Sequence, residues 1–120
     1  MKDIESKDDI KVLVDTFYEK IKTDILLGPV FWGVLHNKWD AHLQIMYMFW
    51  DTVLFNTGEY TGNTLAKHMD MPLRKEQFTQ WLLLFNQTTD ELFAGAIAEL
   101  AKQKAAQIAQ VMMHKKGFAS

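Results

Sequence analysis

The chain has 120 residues, of which 48% are hydrophobic and 12% aromatic, with a net charge of −2. This suits one globular domain over residues 1–120 and argues against disorder, against attraction to nucleic acid or an anionic membrane, and against any ~20-residue apolar span. There is no cysteine, which removes disulfides, thiolate catalysis, iron–sulfur clusters and thiolate-bound zinc or haem, and leaves a reducing cytoplasm as the default compartment.

Ile4 and Ile10 stand among charges, so no signal peptide is expected. Ser6, three residues before Asp9, reads as the start of a first helix. Ile10, Leu13, Val14, Phe17 and Ile21 then follow helical spacing, with Tyr18 on the edge of the stripe. This helix should fade near Lys22 to Asp24. Gly28-Pro29 reads as a turn, and Val30-Phe31-Trp32 as one helical turn. A second long helix is predicted from Asn37 or Lys38 to Leu54 or Phe55. Its apolar residues cover most of its circumference, so burial on more than one side is expected.

Asn56-Thr57-Gly58 should stop that helix. Residues 56–64 read as the longest irregular stretch. Leu65 to His68 could form one short helix, halted by Met71-Pro72. The next helix should run from about Lys75 to Asn86, with Phe78, Trp81, Leu82 and Phe85 on one face. Thr88, three before Glu91, is predicted to cap a last helix that carries Leu92 to Met112 and ends near Gly117. Period-two alternation is absent, so the expected class is all-α, with a radius of gyration of about 14 Å.

Two histidines have contrasting surroundings. His42 lies within an apolar helical run, and His68 follows the turn Glu59-Tyr60-Thr61-Gly62-Asn63. Together with Tyr18, Phe31, Trp50 and Trp81 they suggest a helical pocket for a flat, apolar, metal-bearing cofactor, and haem is the first hypothesis. A haem that binds gas needs one neutral imidazole on one face and an open site opposite. His68 has the freer placement for the ligand, and His42 can cover the other face. The plain alternative is that both histidines, and the aromatics around them, are satisfied core residues. Tyr18 and Trp81 carry polar tips that want partners when buried. A Trp donor favours a ligand with a partly negative outer atom, such as dioxygen on ferrous haem. His36 and His114 read as surface groups. No helical ligand spacing supports a zinc site.

Several segments in order resemble the third group of truncated haemoglobins. They are Phe17-Tyr18-Glu19-Lys20-Ile21, Leu27-Gly28-Pro29-Val30-Phe31, Trp39-Asp40-Ala41-His42-Leu43 and Phe49-Trp50, then Tyr60-Thr61-Gly62-Asn63, His68, Pro72-Leu73, Phe78 and Trp81-Leu82-Leu83-Leu84-Phe85. The resemblance spans about Ile10 to Met112. It implies a shortened globin, with two helix pairs crossed around haem b (iron protoporphyrin IX). It makes His68 the proximal iron ligand. Tyr18, Trp81 and His42 become distal residues, with His42 gating entry. Met46 would line the distal pocket, Phe31 would wedge against the haem ring and Trp50 would pack at its edge. Leu65, Phe78, Phe85 and Ile108 are further expected haem contacts. Lys67 and Arg74 could pair with the propionates, and solvated surface charge is the equal alternative for both. Thr64 stands where relatives often have proline, a difference expected to loosen the His68 segment. Gln77 and Gln80 stand where relatives often carry histidine and arginine, which puts propionate anchoring through the Gln80 position in doubt.

The function implied is binding of oxygen, and of nitric oxide or carbon monoxide, at a five-coordinate iron. A redox enzyme on the same site, a nitric-oxide dioxygenase or peroxidase-like protein, would need a separate reductase, because the chain has no flavin or nicotinamide domain. A haem-free helical interaction module is the third reading. Residues alone leave open whether His42 binds iron in a resting six-coordinate form.

Overall fold

A computed structural model of the chain describes residues 1–56 and 72–118. Five helices, and no strand among the described residues, follow in the order α1 Lys7–Thr23, α2 Gly28–Leu35, α3 Trp39–Phe55, α4 Lys75–Leu92 and α5 Ala96–Lys115. The radius of gyration is 13.7 Å, close to the ~14 Å expected for this length. No described helix is long and apolar enough to cross a membrane.

α1 begins where the capping pattern places it. Ser6 is its N-cap, and the Asp9 backbone N–H donates to Ser6 Oγ at 3.3 Å. Its stripe of Ile10, Leu13, Val14, Phe17 and Ile21 is buried. α2 is longer than one turn. Gly28-Pro29 does not stand outside it as a turn but opens it, since proline near an N-terminus loses no helical hydrogen bond. A Cβ on Gly28 would come within 3.0 Å of the Lys22 carbonyl oxygen, so the α1–α2 corner needs this glycine. α3 buries Trp39, Met46, Trp50 and Leu54 along one face, while Met48 is exposed. Asn56 ends α3 in the left-handed conformation (φ +55°), with its N–H on the Thr52 carbonyl at 2.8 Å.

Contacts along α1 and α3 run in opposite order. Lys7 lies by Asp51, Tyr47 donates to Asp15, Tyr18 meets His42 and Lys22 covers the Trp39 ring. These helices are therefore antiparallel. α4 and α5 are antiparallel too, since Phe78 meets Phe118 at one end and Lys102 pairs with Asp90 at the other. α1 also packs on α4, and α3 touches α5, which joins the two pairs into two layers around one core.

The α4–α5 corner departs from the sequence expectation. Thr88 does not cap the last helix. It lies inside α4, fully buried, and its hydroxyl donates back to the Leu84 carbonyl at 2.7 Å. Thr89 does the same to Phe85 at 2.9 Å. With these hydroxyls satisfied along the helix, α4 runs on to Leu92 instead of stopping near Asn86. The cap of α5 comes from the other end of the chain. Asp3 accepts from the Ile97 N–H at 2.9 Å and the Ala98 N–H at 2.8 Å, and Ala94 N–H donates to the Lys2 carbonyl. Gly95 makes room for this clamp. It sits at φ +142°, and a Cβ there would fall 2.5 Å from the Asp3 carboxyl carbon.

Desolvation works against the Asp3 charge, but the N–H groups of Ile97, Ala98, Ile4 and Ala96 outweigh it and hold the carboxyl below its ordinary 3.8. A folded-state value below the unfolded one contributes stability that is present above pH 3.8 and lost as pH falls through the lowered value. Asp3→Ala is expected to cost about 0.5–2 kcal/mol near neutral pH, the range for a lost N-terminal cap. Urea unfolding should show the deficit at pH 7 and a smaller one in strong acid. An equal deficit at both would mean that the carboxylate charge is not what holds the cap. Gly95→Ala, which adds both backbone strain and the clash with Asp3, is expected to lower the urea midpoint as well.

Candidate functional site

Four helices bring aromatic and polar side chains to the middle of the molecule. α1 supplies Phe17 and Tyr18, and α2 supplies Phe31. α3 supplies Trp39, His42, Met46 and Trp50, and α4 supplies Phe78, Trp81 and Phe85. Helical spacing explains α3, where His42 and Met46 are one turn apart and Trp50 is the next turn on. An i, i+3, i+7 spacing likewise sets Phe78, Trp81 and Phe85 on one side of α4.

The polar centre is a pair. Tyr18 Oη lies 2.9 Å from His42 Nε2, with the rings edge to face at 5.2 Å and 81°. Tyr18 is only 3% exposed. Burial pushes its hydroxyl well above the usual phenol range, so the group stays protonated and keeps a hydrogen to donate. His42 is half-buried, on the rim of the core. Phe31 at 6.2 Å and Trp39 at 6.5 Å also close edge-on around the Tyr18 ring. With Phe17 on a further side, these contacts fix the position of the Tyr18 ring and therefore of its oxygen.

Behind this pair Phe17 acts as a hub. Its ring meets Tyr18 at 5.3 Å, Trp81 at 5.7 Å and Phe85 at 5.2 Å, all edge-on. Phe85 lies between two indoles, with Trp50 stacked on it at 4.8 Å and 20°, and Trp81 at 6.0 Å and 16°. Three nearly parallel ring planes thus cross the interior from α3 to α4. Met46 and Phe78 are buried beside them, and Ile108 on α5 is half-buried.

The structure brings Tyr18, Phe31, His42, Met46, Trp50, Phe78, Trp81 and Phe85 into one core. Arg74 is exposed at the start of α4, where its backbone N–H donates to Gln77 Oε1 at 2.7 Å. Leu65, Lys67 and His68, with the short helix expected around them, and Thr64, lie outside the described residues. His36 and His114 are exposed. Among the described residues no cluster of three or more acidic or histidine side chains could hold a metal ion.

Three contributions go beyond the sequence reading. Phe17 reads there as one more stripe residue, although its position next to Tyr18 foreshadows its place at the hub. Trp39 reads as a helix-face residue, yet it borders Tyr18 and meets the Trp32 ring at 4.8 Å, tilted by 60°, and its buried indole N–H has no hydrogen-bond partner among the described residues. Its spacing of three from His42 is the signal that could have placed it. Gln77 and Gln80 serve the scaffold. Gln77 Nε2 donates to the Leu26 carbonyl at 3.0 Å and Gln80 Nε2 to Asp24 Oδ1 at 2.8 Å, which fastens α4 to the α1–α2 corner beside the site.

No family model matches the chain. Among curated proteins it is similar to the group 3 truncated hemoglobin ctb of Campylobacter jejuni, at 32% identity over 119 residues, covering 93% of this chain and 94% of that protein. Among solved structures it is similar to the crystal structure of a group III truncated hemoglobin from Campylobacter jejuni. That match has a TM-score of 0.87 and 30% identity, over 96% of this chain and 94% of the other.

Proposed function

Since the chain belongs to the group III truncated haemoglobins, we propose that it binds haem b through His68 and holds a diatomic gas, oxygen first, beside Tyr18, His42 and Trp81, with the cytoplasm as its working compartment. A bound haem supplies a ferrous iron with one position open to a gas. The single observation that carries this reading is the pairing of buried Tyr18 with half-buried His42, set against an indole-rich wall.

The residues present fit such a group. A neutral phenol, an imidazole and an indole form a donor set matched to a small ligand with a partly negative outer atom. Trp50, Phe85 and Trp81, buried on α3 and α4, supply large apolar side chains of the kind that line a porphyrin site. In this proposal Phe31, Met46, Trp50, Leu65, Phe78, Phe85 and Ile108 contact the ring, and Lys67 and Arg74 reach the propionates. Nitric oxide and carbon monoxide are further gases for the same site.

The tautomer of His42 decides what Tyr18 can do. If Nε2 carries the imidazole proton, it donates to Tyr18 Oη and leaves the phenol hydrogen free to point at the gas. If Nδ1 carries it, Nε2 accepts the phenol hydrogen and Tyr18 is spent on the pair. Trp81 can only donate, so its role does not depend on a tautomer. The rings of Phe17, Phe31 and Trp39 keep water from competing for the Tyr18 hydroxyl. A dry, pre-oriented donor is stronger than the same donor in solvent.

The deciding experiment is an absorption spectrum of the purified protein, ferric and then ferrous, after expression with haem supplied. A five-coordinate ferrous spectrum that shifts on adding oxygen or carbon monoxide is expected, and a colourless protein would end the proposal. A second expectation follows from mass action. A ligand bound only by the native state raises stability by about 2.7 kcal/mol at a hundredfold excess over its dissociation constant. The haem-loaded protein should therefore melt at a higher temperature than the stripped protein, and equal melting temperatures would argue against haem as a structural part of this fold.

A further inference from the structure

A second site lies away from Tyr18 and His42, in a cleft of about 650 Å³ where the start of α4 meets the end of α5. That volume falls within the ~300–1,000 Å³ of small-molecule clefts. Lys75 in the first turn of α4 and Lys115 in the last turn of α5 stand at it, and Val111, Met113 and Phe118 give it an apolar floor. Val111 is 40% exposed.

Charge at this cleft has one sign. Among the described residues none that lines it is a carboxylate. Lys2, Lys7, Lys11, Lys20, Lys22 and Lys102 each lie within ion-pair distance of an aspartate or glutamate. Among the described residues Lys75 and Lys115 have no such partner. The N-terminus of the 18-residue α4 brings the positive end of its dipole to the Lys75 side, while the C-terminus of α5 brings the negative end of its own to the Lys115 side, so the net positive charge rests on the two lysines. Unpaired cations beside exposed apolar surface match a ligand that has both an anionic head and a hydrocarbon body.

We propose that this cleft binds a single-chain fatty carboxylate, with its head between Lys75 and Lys115 and its chain along Val111, Met113 and Phe118. A free fatty acid suits it better than a small anion, because the floor is apolar and a small anion would leave it bare. It suits better than a neutral lipid, because a neutral head would leave both lysines unanswered.

The test is calorimetric titration of the haem-loaded protein with sodium dodecanoate below its micelle concentration. One site is expected. Hexanoate should bind more weakly, by roughly twofold to fourfold for each methylene removed. Lys75→Gln with Lys115→Gln should weaken dodecanoate by at least about tenfold, the size of one or two charge-assisted contacts. Val111→Glu should abolish binding, and dodecyltrimethylammonium should not bind at all. All these positions except half-buried Met113 and Phe118 are exposed, so the variants should fold, and circular dichroism checks this. Absence of a dodecanoate site overturns the proposal. So does binding that survives in both variants, which would put the carboxylate elsewhere, or equal binding of the cationic amphiphile. Binding of polyglutamate in place of dodecanoate would also overturn it, in favour of an acidic protein partner. None of these outcomes depends on gas binding, so the proposed haem function stands or falls separately.

Discussion

Replacing His68 with alanine is expected to leave a protein that holds little haem. In the proposed site His68 is the one side chain bonded to the iron, and apolar contact and propionate pairing would supply the rest of the grip. Changes to the outer shell of a metal site already cost roughly 10- to 100-fold in affinity. Loss of the ligand itself should exceed that. The measurement is Soret absorbance per mole of protein after purification with haem supplied, with and without added imidazole. Imidazole should restore part of the occupancy, because it replaces the missing nitrogen but not its tether. His42→Ala, made in parallel, should keep its haem, since His42 is assigned to the gas side. Full occupancy in the His68 variant would transfer the ligand role, most simply to His42, and would convert the Tyr18–His42 pair from a gas-binding device into a resting ligand set.

The second large effect concerns the distal donors. Tyr18→Phe keeps the ring that Phe17, Phe31 and Trp39 enclose and removes only the hydroxyl. Trp81→Phe removes the indole N–H and part of the stack on Phe85. A hydrogen bond to a charged acceptor contributes about 1.5–3 kcal/mol, so oxygen should leave either variant about 10- to 100-fold faster. Stopped-flow displacement of oxygen by carbon monoxide reads that rate directly. Carbon monoxide develops less charge on its outer atom, and its own release should change much less. The double variant should fall short of the sum of the two singles if both donors address one atom. Unchanged oxygen release in both single variants would remove the donor account, and would leave Tyr18 and Trp81 as core aromatics. His42→Ala separates the two tautomers: oxygen release should slow if Nε2 had been taking the phenol hydrogen, and should not slow if Nε2 had been donating to Tyr18 Oη.

Much of this molecule is legible in the chain because its signals are local. Ser6 before Asp9, the 3.6-residue stripe through Phe17 and Ile21, and Asn56 at the end of α3 each act within one helical turn of themselves. Side-chain direction on a helix follows from the backbone, so the faces that carry Tyr18, His42, Met46, Trp50, Trp81 and Phe85 are legible locally, whereas gathering all six around one site rested on the resemblance to the truncated haemoglobins. The Tyr18–His42 bond itself spans 24 positions, and its 2.9 Å separation exists only because α1 and α3 run antiparallel at that crossing.

Other features were decided by the tertiary structure alone. Thr88 satisfies the local pattern of a helix cap, yet its hydroxyl turns back to Leu84, while Asp3 arrives from 94 positions away to take the N–H of Ile97. A cap needs only an oxygen in the right place, and sequence distance imposes no limit once the core has brought the segments together. Gln77 and Gln80 likewise take their meaning from the α1–α2 corner that they fasten. Periodicity and composition therefore determined which faces are buried and which chemistry is gathered there. Which polar groups meet across helices, and which ends of the chain hold each other, was decided by packing, because such bonds form wherever the apolar faces come to rest.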